Sequence, residues 1–263
     1  MSSLRVVSAG LDLMAESIEA QGVTTTRVDW SPPAGGDPDA LVPLAAAYAD
    51  PAIDAANADA VARLQAAQPH LISAGRAGDL IPGLEGRMIL HAGPPIEWER
   101  RCVPQRLAAA GACVLEGWAD DLDAGLALLE SGDVEMAPAH SLGAAGAMAG
   151  IISPSAAAWH VRDEESGIDA WTPFNDGPGD AFWLGVGGPE AVERQRRMSE
   201  VVAPAFAAAL ASHGPLDIFG LLAQGLAMGD DCHMRHQATT MLLMRELLPA
   251  MAEETPEKVA ETA

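Results

Sequence analysis

The chain has 263 residues and a formal net charge of −22, from 37 acidic and 15 basic side chains. Nucleic acids and anionic membrane surfaces attract basic proteins, so this charge argues against both as partners. A phosphate or carboxylate ligand would need local arginines or backbone NH groups, because the overall field opposes it. The hydrophobic fraction of 49% is ample for a folded core.

The cysteines indicate a reducing compartment. Cys102, Cys113 and Cys232 fit no CxxC spacing, and no secretory leader precedes them. No stretch approaches the roughly 20 consecutive apolar residues of a membrane span. We therefore expect a cytoplasmic protein that does not bind membranes.

The N-terminal region has the pattern of a β-α-β unit. Residues 4–10 and 23–30 predict strands, and residues 13–20 predict the helix between them. A unit of this kind is typical of a Rossmann-like half. It contains no GxGxxG motif, so it does not indicate a dinucleotide. Two further helices are predicted over 39–49 and 53–67.

The segment from Arg87 to Asp120 is where we expect the functional site. A short strand is predicted before it over 71–73. The elements within and after it are, in order, a strand over 88–90, a helix, a strand over 112–115, a helix over 121–131 and a strand over 134–137. The outer two strands end in loops that contain His91 and His140. The carboxyl ends of parallel strands share one edge of a sheet, and open α/β sheets bind ligands there.

The C-terminal part is predicted to be mainly helical. The expected elements are a strand over 156–161, a polar and turn-rich segment over 162–179, a strand over 182–186, a helix over 190–212 that Pro204 should kink, and helices over 216–228 and 232–252.

These elements indicate an α/β fold class. We expect a Rossmann-like β-α-β N-terminal part with a mostly parallel sheet, followed by a mainly helical C-terminal part. We expect one domain over 1–188, which carries the site. A mainly helical region over 189–263 should pack on a partner or on a missing C-terminal portion.

Three residues are candidates for catalysis: His91, His140 and Glu116. The loop after His91 contains Gly93 and two prolines, and a rigid loop that presents an imidazole suits proton transfer or polarisation of a carbonyl. A structural turn with a hydrogen-bonded histidine is about as well supported. Glu116 is suited to accept hydrogen bonds from an amide nitrogen.

The candidates for substrate binding are Gly93, Pro94, Glu99, Arg100, Arg101, Trp118, Gly143 and Gly146. Arginine is a natural clamp for a carboxylate or phosphate, although pairing with nearby acidic residues is the alternative. The small residues of the second loop offer NH groups to an anion or oxyanion, and tight helix packing explains them almost as well. Trp118 is either a pocket wall or a helix staple.

A metal site is one further hypothesis. Asp231, Cys232, His233 and His236 lie within one or two helical turns, and these residue types bind zinc or another divalent ion. The spacing matches neither HExxH nor a two-plus-two finger, and helix capping by Asp230 or Asp231 is the ordinary explanation. No other cofactor is indicated. No GxSxG motif supports a serine hydrolase.

Several motifs occur in a specific order: DAANADAVARL, ILHAGPPIEWERRCVPQR, VLEGWADD, the 140–150 loop with GIISPS, and MGDDCHMRHQATT followed by RELLP. In these motifs the chain resembles the YlbE/AllG-like family over nearly its whole length. That family is associated with an FdrA-like protein and a third subunit, and with oxamate carbamoyltransferase activity in anaerobic allantoin breakdown. The resemblance implies phosphorolysis of oxalurate to oxamate and carbamoyl phosphate. It implies no particular catalytic residues.

The sequence departs from the family in two places. Members usually continue well past the RELLP segment, so we expect a short form, a split subunit or a piece of a longer protein. The family's loop at 138–150 is richer in Cys and His, whereas Ala139, Ser141 and Leu142 stand here.

Three functions are therefore expected. The first is a subunit of a carbamoyl- or acyl-transferring enzyme acting on a small amide or ureido acid, with phosphate as co-substrate and an FdrA-like protein or other subunits as partners. In it, His91 polarises the carbonyl or relays a proton, Arg100 or Arg101 holds a carboxylate or phosphate, and NH groups near Gly143 and Gly146 stabilise the oxyanion. The second is an amide or lactam hydrolase subunit, metal-dependent in one version. The third is a non-catalytic scaffold that completes a partner's site.

Overall fold

The structure is a computed structural model that describes residues 4–29, 34–175, 185, 188–233, 235–255 and 257. Contacts between residues divide the chain into two units, Met1–Gln65 and Ala66–Ala263. Among the described residues, no helix combines the length and the apolarity that crossing a membrane requires.

The first unit is a β-α-β unit followed by two helices. Strands β1 (Arg5–Ala9) and β2 (Thr24–Val28) pair in parallel, and helix α1 (Asp12–Glu19) joins them. Helices α2 (Pro38–Ala49) and α3 (Pro51–Ala66) follow. This confirms the N-terminal β-α-β unit and the two helices predicted after it.

The second unit contains seven described strands: β3 (Pro69–Arg76), β4 (Met88–His91), β5 (Glu135–Pro138), β6 (Ile151–Ile152), β7 (Ala157–Asp163), β8 (Asp169–Pro173) and β9 (Leu216–Asp217). Its described α-helices are α4 (Ala77–Leu80), α5 (Val103–Leu115), α6 (Leu122–Glu130), α7 (Pro189–Arg197), α8 (Ala203–His213), α9 (Ile218–Ala227) and α10 (Gln237–Glu254).

The described strands of the second unit form two sheets. The larger sheet has the order β8-β7-β3-β9, and its neighbouring strands are all antiparallel. The smaller sheet has the order β5-β4-β6, in which β4 and β5 are parallel and β6 is antiparallel to β4. The parallel pairing of β4 and β5 confirms that the loops after these two strands leave from one edge.

Alternating side chains place the two sheets between layers of helices. In β4, Ile89 packs in a core with α5 and α6, whereas the next residue, Leu90, packs in a core shared with the larger sheet. In β7, Ala158 faces the smaller sheet and Trp159 packs towards α8 and α10. The layers are therefore α5 with α6, the smaller sheet, the larger sheet, and α8 with α10.

The prediction of a strand over 112–115 is wrong. These residues are the last turn of α5, which begins at Val103 and has Pro104 in its first turn. A short apolar run does not distinguish a strand from a buried helix segment. The small residues before and at the start of this run decide the matter, because Ala108, Ala109 and Ala112 are fully buried against the sheet and α6.

Other predicted bounds also shift. The helix over 190–212 is divided into α7 and α8 by a π-helical turn, Met198–Val202, and Pro204 lies in the first turn of α8. The segment 162–179 is not all loop, because it contains β8. The helix predicted from 232 begins at Gln237, since 232–233 and 235–236 form a loop. The strand predicted over 182–186 lies outside the described residues, except for Gly185.

The mixed α/β fold class is confirmed, with a parallel pair at the N-terminus and helices in the C-terminal part. The large antiparallel sheet was not predicted. The boundary expected near residue 188 stays a prediction, and the contacts place a division at Gln65 instead.

Gly125 gives a test of the packing of α6 on α5. A Cβ at Gly125 would lie 2.7 Å from the carbonyl oxygen of Ala110, which is backbone and cannot move aside cheaply. We expect Gly125→Ala to lower the free energy of unfolding by about 1–3 kcal/mol, although alanine is intrinsically the better helix former. Chemical denaturation measures the effect.

Gly75→Ala is the matched control, because its new Cβ would make only ordinary contacts, at 3.5 Å from the Leu80 side chain. We expect its stability to stay within about 0.5 kcal/mol of the parent. A Gly125→Ala protein as stable as the parent would contradict the close packing of the two helices.

Candidate functional site

The site begins at the edge where β4 and β5 end. His91 and Pro138, the last residues of these strands, are register partners. The chain then turns in both loops through a glycine with positive φ, Gly93 at 84° and Gly143 at 71°. Such backbone conformations strain residues that carry a Cβ, which explains a glycine at both positions.

A buried hydrogen-bond network fills the α5 side of this edge. One guanidinium nitrogen of Arg101 donates to His91 Nε2 at 3.3 Å, and the other terminal nitrogen donates to Gln105 Oε1 at 3.0 Å. His91 Nδ1 lies 2.9 Å from the carbonyl oxygen of Ala92, and the Gln105 amide also donates to that oxygen at 3.4 Å. The exposed fractions of His91, Arg101 and Gln105 are 1%, 7% and 6%.

The network assigns the protonation of His91. The Ala92 carbonyl only accepts, so Nδ1 carries the proton and Nε2 accepts from Arg101. Burial lowers the pKa of His91, and the positive charges of Arg101 and His140 lower it further, so the ring is neutral. Both ring nitrogens are therefore occupied, and His91 holds Arg101 in place.

Arg101 is a buried cation whose partners are neutral. Among the described residues, no carboxylate lies within 4.0 Å of its guanidinium, and exposed Glu97 acts on it only electrostatically. Burial lowers the pKa of Arg101, although an arginine remains charged. A buried charge without a counter-charge is costly. An anion that bound beside Arg101 would supply the missing counter-charge.

The second loop contributes an exposed imidazole. His140 lies in a 3-10 turn, Ala139–Leu142, and is close enough to His91 to affect its pKa. The NH of Gly143 donates to the His140 carbonyl at 3.2 Å, so it is engaged within the turn. The NH of Gly146 makes no hydrogen bond to another described residue. Gly146, not Gly143, is thus the NH donor that a ligand can use.

The remaining loop candidates lie at the surface. Gly93 and Pro94 are exposed in the first loop, and Glu99 and Arg100 are exposed in a 3-10 turn, Trp98–Arg100. The two charged side chains of this turn are therefore at the surface, whereas Arg101, the next residue, is buried in the network.

Glu116 lies at the other end of α5. It follows the last residue of the helix, about 16 Å along the axis from Gln105 at 1.5 Å per residue. Its carboxylate accepts from the NH and the hydroxyl of Ser155, at 2.6 and 2.9 Å, and Arg76 donates to the same hydroxyl. The structure thus separates Glu116 from His91 and His140. Trp118 accompanies Glu116 and packs against the α5–α6 core.

The four metal candidates do not assemble into a ligand set. Among the described residues, no group of three or more His, Cys, Asp and Glu side chains could hold a metal ion. Asp231 Oδ1 accepts from the NH groups of His233 and Arg235, and Cys232 Sγ donates to the Leu222 carbonyl at 3.9 Å. Backbone groups of the loop and of α9 therefore engage the side chains of Asp231 and Cys232.

Two features were missed from the sequence. Gln105 was not among the candidates, because the sequence does not show that Arg101, which lies outside α5, contacts the first turn of that helix. The second feature is an ion-pair network of His160, Arg162 and Asp169 on β7 and β8. The alternation His160-Val161-Arg162 was the available signal, but it fell at the border of the segment interpreted as polar loop.

Residues 134–263 match the family described as oxamate carbamoyltransferase subunit AllG. The chain is 34% identical over 251 residues to Uncharacterized protein YahG of Escherichia coli (strain K12), covering 94% of this chain and 53% of that protein. It is 39% identical over 199 residues to oxamate carbamoyltransferase subunit AllG of the same strain, covering 75% of this chain and 48% of that protein.

A solved structure has the same fold. It is described as the crystal structure of a conserved protein of unknown function from Enterococcus faecalis V583, with a TM-score of 0.75 and 33% sequence identity. The match covers 80% of this chain and 51% of that chain. This chain therefore spans about half the length of the relatives that it matches.

The fold and the site define a layered α/β protein whose candidate site lies at the carboxyl ends of two parallel strands. The matches then identify the family: the chain belongs to the AllG-like proteins. This confirms the resemblance that the sequence motifs indicated.

The lowered pKa of His91 predicts a pH dependence of stability. In the unfolded chain His91 takes up a proton near its ordinary pKa of about 6.5, whereas in the folded chain it takes up the proton only at a lower pH. Stability from neutral His91 is therefore full above that pH and is lost as the pH falls. We expect the parent to lose up to about 1.4 kcal/mol more than His91→Gln between pH 7.5 and 5.5.

Glutamine at position 91 keeps an acceptor for Arg101 but does not titrate. Urea denaturation at both pH values gives the difference, and the common effects of other groups cancel. His213→Gln, at an exposed position, should follow the parent. Equal pH dependence in the parent and His91→Gln would contradict a neutral, buried His91.

Proposed function

We propose that this chain is a subunit of a carbamoyl-transferring enzyme that acts on a small amide or ureido acid. The reaction proposed is oxalurate and phosphate to oxamate and carbamoyl phosphate. One observation carries the proposal: the buried Arg101 guanidinium has no carboxylate partner among the described residues, at the edge where the two loops leave. Both co-substrates and both products are anions, which such a cation would bind.

The neighbourhood of Arg101 also favours an anion. Arg101 lies two residues before the start of α5, and the first turn of this helix receives no hydrogen bond from the side chain at its N-cap, Cys102. The N-terminus of a helix carries a partial positive charge and free NH groups. An anion between Arg101 and this turn would balance both. Exposed Arg100 and His140 are placed to attract it.

The residue roles change from those that the sequence suggested. His91 is a positioning residue, because Arg101 and the Ala92 carbonyl occupy its ring nitrogens. Arg101 binds the carboxylate of the ureido acid or the phosphate. The NH of Gly146 stabilises the oxyanion that forms when phosphate attacks the carbonyl. Glu116, held by Ser155, takes no part in this step.

The step balances without another reactant. An oxygen of hydrogen phosphate forms a bond to the ureido carbon of oxalurate, and the bond from that carbon to the oxalyl-bearing nitrogen breaks. The proton of the phosphate passes to the departing nitrogen, which gives oxamate and carbamoyl phosphate. The protein's task is to hold two anions together and to stabilise the charge on the carbonyl oxygen.

Partner subunits are part of the proposal. The relative named AllG is a subunit by its name, and this chain spans about half of its length. We propose that an FdrA-like protein and other subunits, or a chain that supplies the remaining portion, complete the enzyme.

A second candidate is a non-catalytic subunit that completes a partner's site. The engagement of both His91 nitrogens favours it, since the candidate base at the edge of the smaller sheet is then unavailable. In that case the chain would supply the anion-binding edge, and the reacting groups would come from the partner.

The test is turnover by the assembly of this chain with its partner subunits. We expect carbamoyl phosphate from oxalurate only when phosphate is present, which separates transfer from hydrolysis. Arg101→Gln should raise KM for oxalurate or phosphate by about 10- to 100-fold, because a charged hydrogen bond contributes roughly 1.5–3 kcal/mol. Arg63→Gln, which removes an exposed pair with Asp59, is the control and should match the parent.

Oxalurate consumed at the same rate without phosphate would favour the hydrolase. No turnover of oxalurate by the parent assembly, with or without phosphate, would overturn the proposed function.

A further inference from the structure

A second polar network lies on the larger sheet, on the face towards the smaller sheet. The carboxylate of Asp169 accepts from His160 Nε2 at 2.8 Å and from two nitrogens of Arg162 at 2.8 and 2.9 Å. His160 and Arg162 alternate along β7 and Asp169 lies on β8, so the three side chains share one face. Arg162 thus fixes the carboxylate, and the carboxylate fixes the imidazole.

This network lies beside the loop that follows β5. Trp171 is the register partner of His160, and their rings stack with centroids 5.2 Å apart. The NH of Trp171 donates to the Gly143 carbonyl, and the NH of Ala145 donates to the Trp171 carbonyl, at 3.2 and 2.8 Å. The loop from His140 to Gly146 is therefore hydrogen-bonded to β8 at Trp171, the residue that pairs with His160.

The hydrogen bonds leave one nitrogen of His160 available. The hydrogen bonds that Asp169 accepts from Arg162 and from His160 lower the pKa of Asp169. The carboxylate is therefore ionised and only accepts hydrogen bonds. In a neutral ring Nε2 then carries the hydrogen, and Nδ1 has a lone pair. Nδ1 has no hydrogen-bond partner among the described residues, and the side chain is 18% exposed.

A proton carrier with this geometry is what the carbamoyl transfer needs. A carboxylate that orients an imidazole from one nitrogen leaves the other to act as base and then as acid. The loop beside His160 contains Gly146, the proposed oxyanion donor. Gly146 lies near Pro173 of β8, the strand that carries Asp169. His91 cannot serve, because both of its nitrogens are engaged.

We propose that His160 Nδ1 is the proton-transferring group of this site and that Asp169 and Arg162 are its positioning residues. The inference rests on the proposed function. Nδ1 takes the proton from hydrogen phosphate as its oxygen bonds to the ureido carbon. It then returns the same proton to the oxalyl-bearing nitrogen as the carbon–nitrogen bond breaks, so the ring is unchanged after each turnover.

The first test uses the assembly with oxalurate and phosphate. His160→Gln should lower kcat by at least about 10²-fold with little change in KM, since a general acid–base residue contributes roughly 10²- to 10⁴-fold. Asp169→Asn should show a smaller loss of kcat. Added imidazole should restore part of the activity of His160→Gln. His213→Gln, an exposed histidine at the end of α8, is the matched control and should keep the parent rate.

The second test does not depend on turnover. Long-range proton–nitrogen NMR of the chain should show His160 with hydrogen on Nε2, and titration with oxamate and with phosphate should shift its Nδ1 resonance but not that of His213. If His160→Gln turns over oxalurate at the parent rate, the role of His160 is overturned while the proposed function stands. If the parent assembly does not use oxalurate, the proposed function fails, and unmoved Nδ1 resonances then overturn the His160 site as well.

Discussion

The contact between Arg101 and His91 is the interaction on which the candidate site depends. It joins the last residue of β4 to the residue pair that precedes α5, so it fixes where the helix begins relative to the sheet. It also fixes a neutral imidazole and a cation side by side, away from water. An arginine held in this way has donors to spare, because a guanidinium carries five NH groups and its two protein partners use two. The unbalanced charge is stable in the fold only at a cost, and an anionic ligand offsets that cost.

The layers of the second unit keep the two polar networks on different sides of the smaller sheet. β4 presents Ile89 and His91 to α5, and Leu90 to the larger sheet. The Arg101 network therefore lies on one side of the smaller sheet, and the His160 network lies on the other side, on the larger sheet. The loop from His140 to Gly146 passes between them, since it leaves the edge next to His91 and bonds to β8 at Trp171. The proposed anion site and the proposed proton carrier therefore lie on opposite sides of this loop.

The sequence predicted the parts of the structure that depend on local pattern. The β-α-β unit, the short strands at 88–91 and 135–138 and the capped helix α6 follow from alternation, helical spacing and an N-cap aspartate, Asp121. The shared edge of His91 and His140 followed from the parallel pairing. What pattern could not give was which partner each polar side chain finds. Glu116 looked like part of the edge, but it lies at the far end of α5, about 16 Å along the axis from Gln105, because the apolar run before it is helix and not strand. The His160 network depends on an antiparallel pairing between β7 and β8 that only the register reveals.

The central claim is that Arg101 is a buried cation that binds an anionic ligand. Calorimetric titration of the chain with phosphate and with oxamate tests this claim most directly. We expect the parent to bind at least one of these anions. Binding should be weaker by about tenfold or more in Arg101→Gln, because this variant loses one charged hydrogen bond to the anion. The variant should be at least as stable as the parent without anion, because an uncompensated buried charge has been removed. Arg63→Gln should bind like the parent. Equal affinity for both anions in the parent and Arg101→Gln, or no binding of either anion by the parent, would contradict the account.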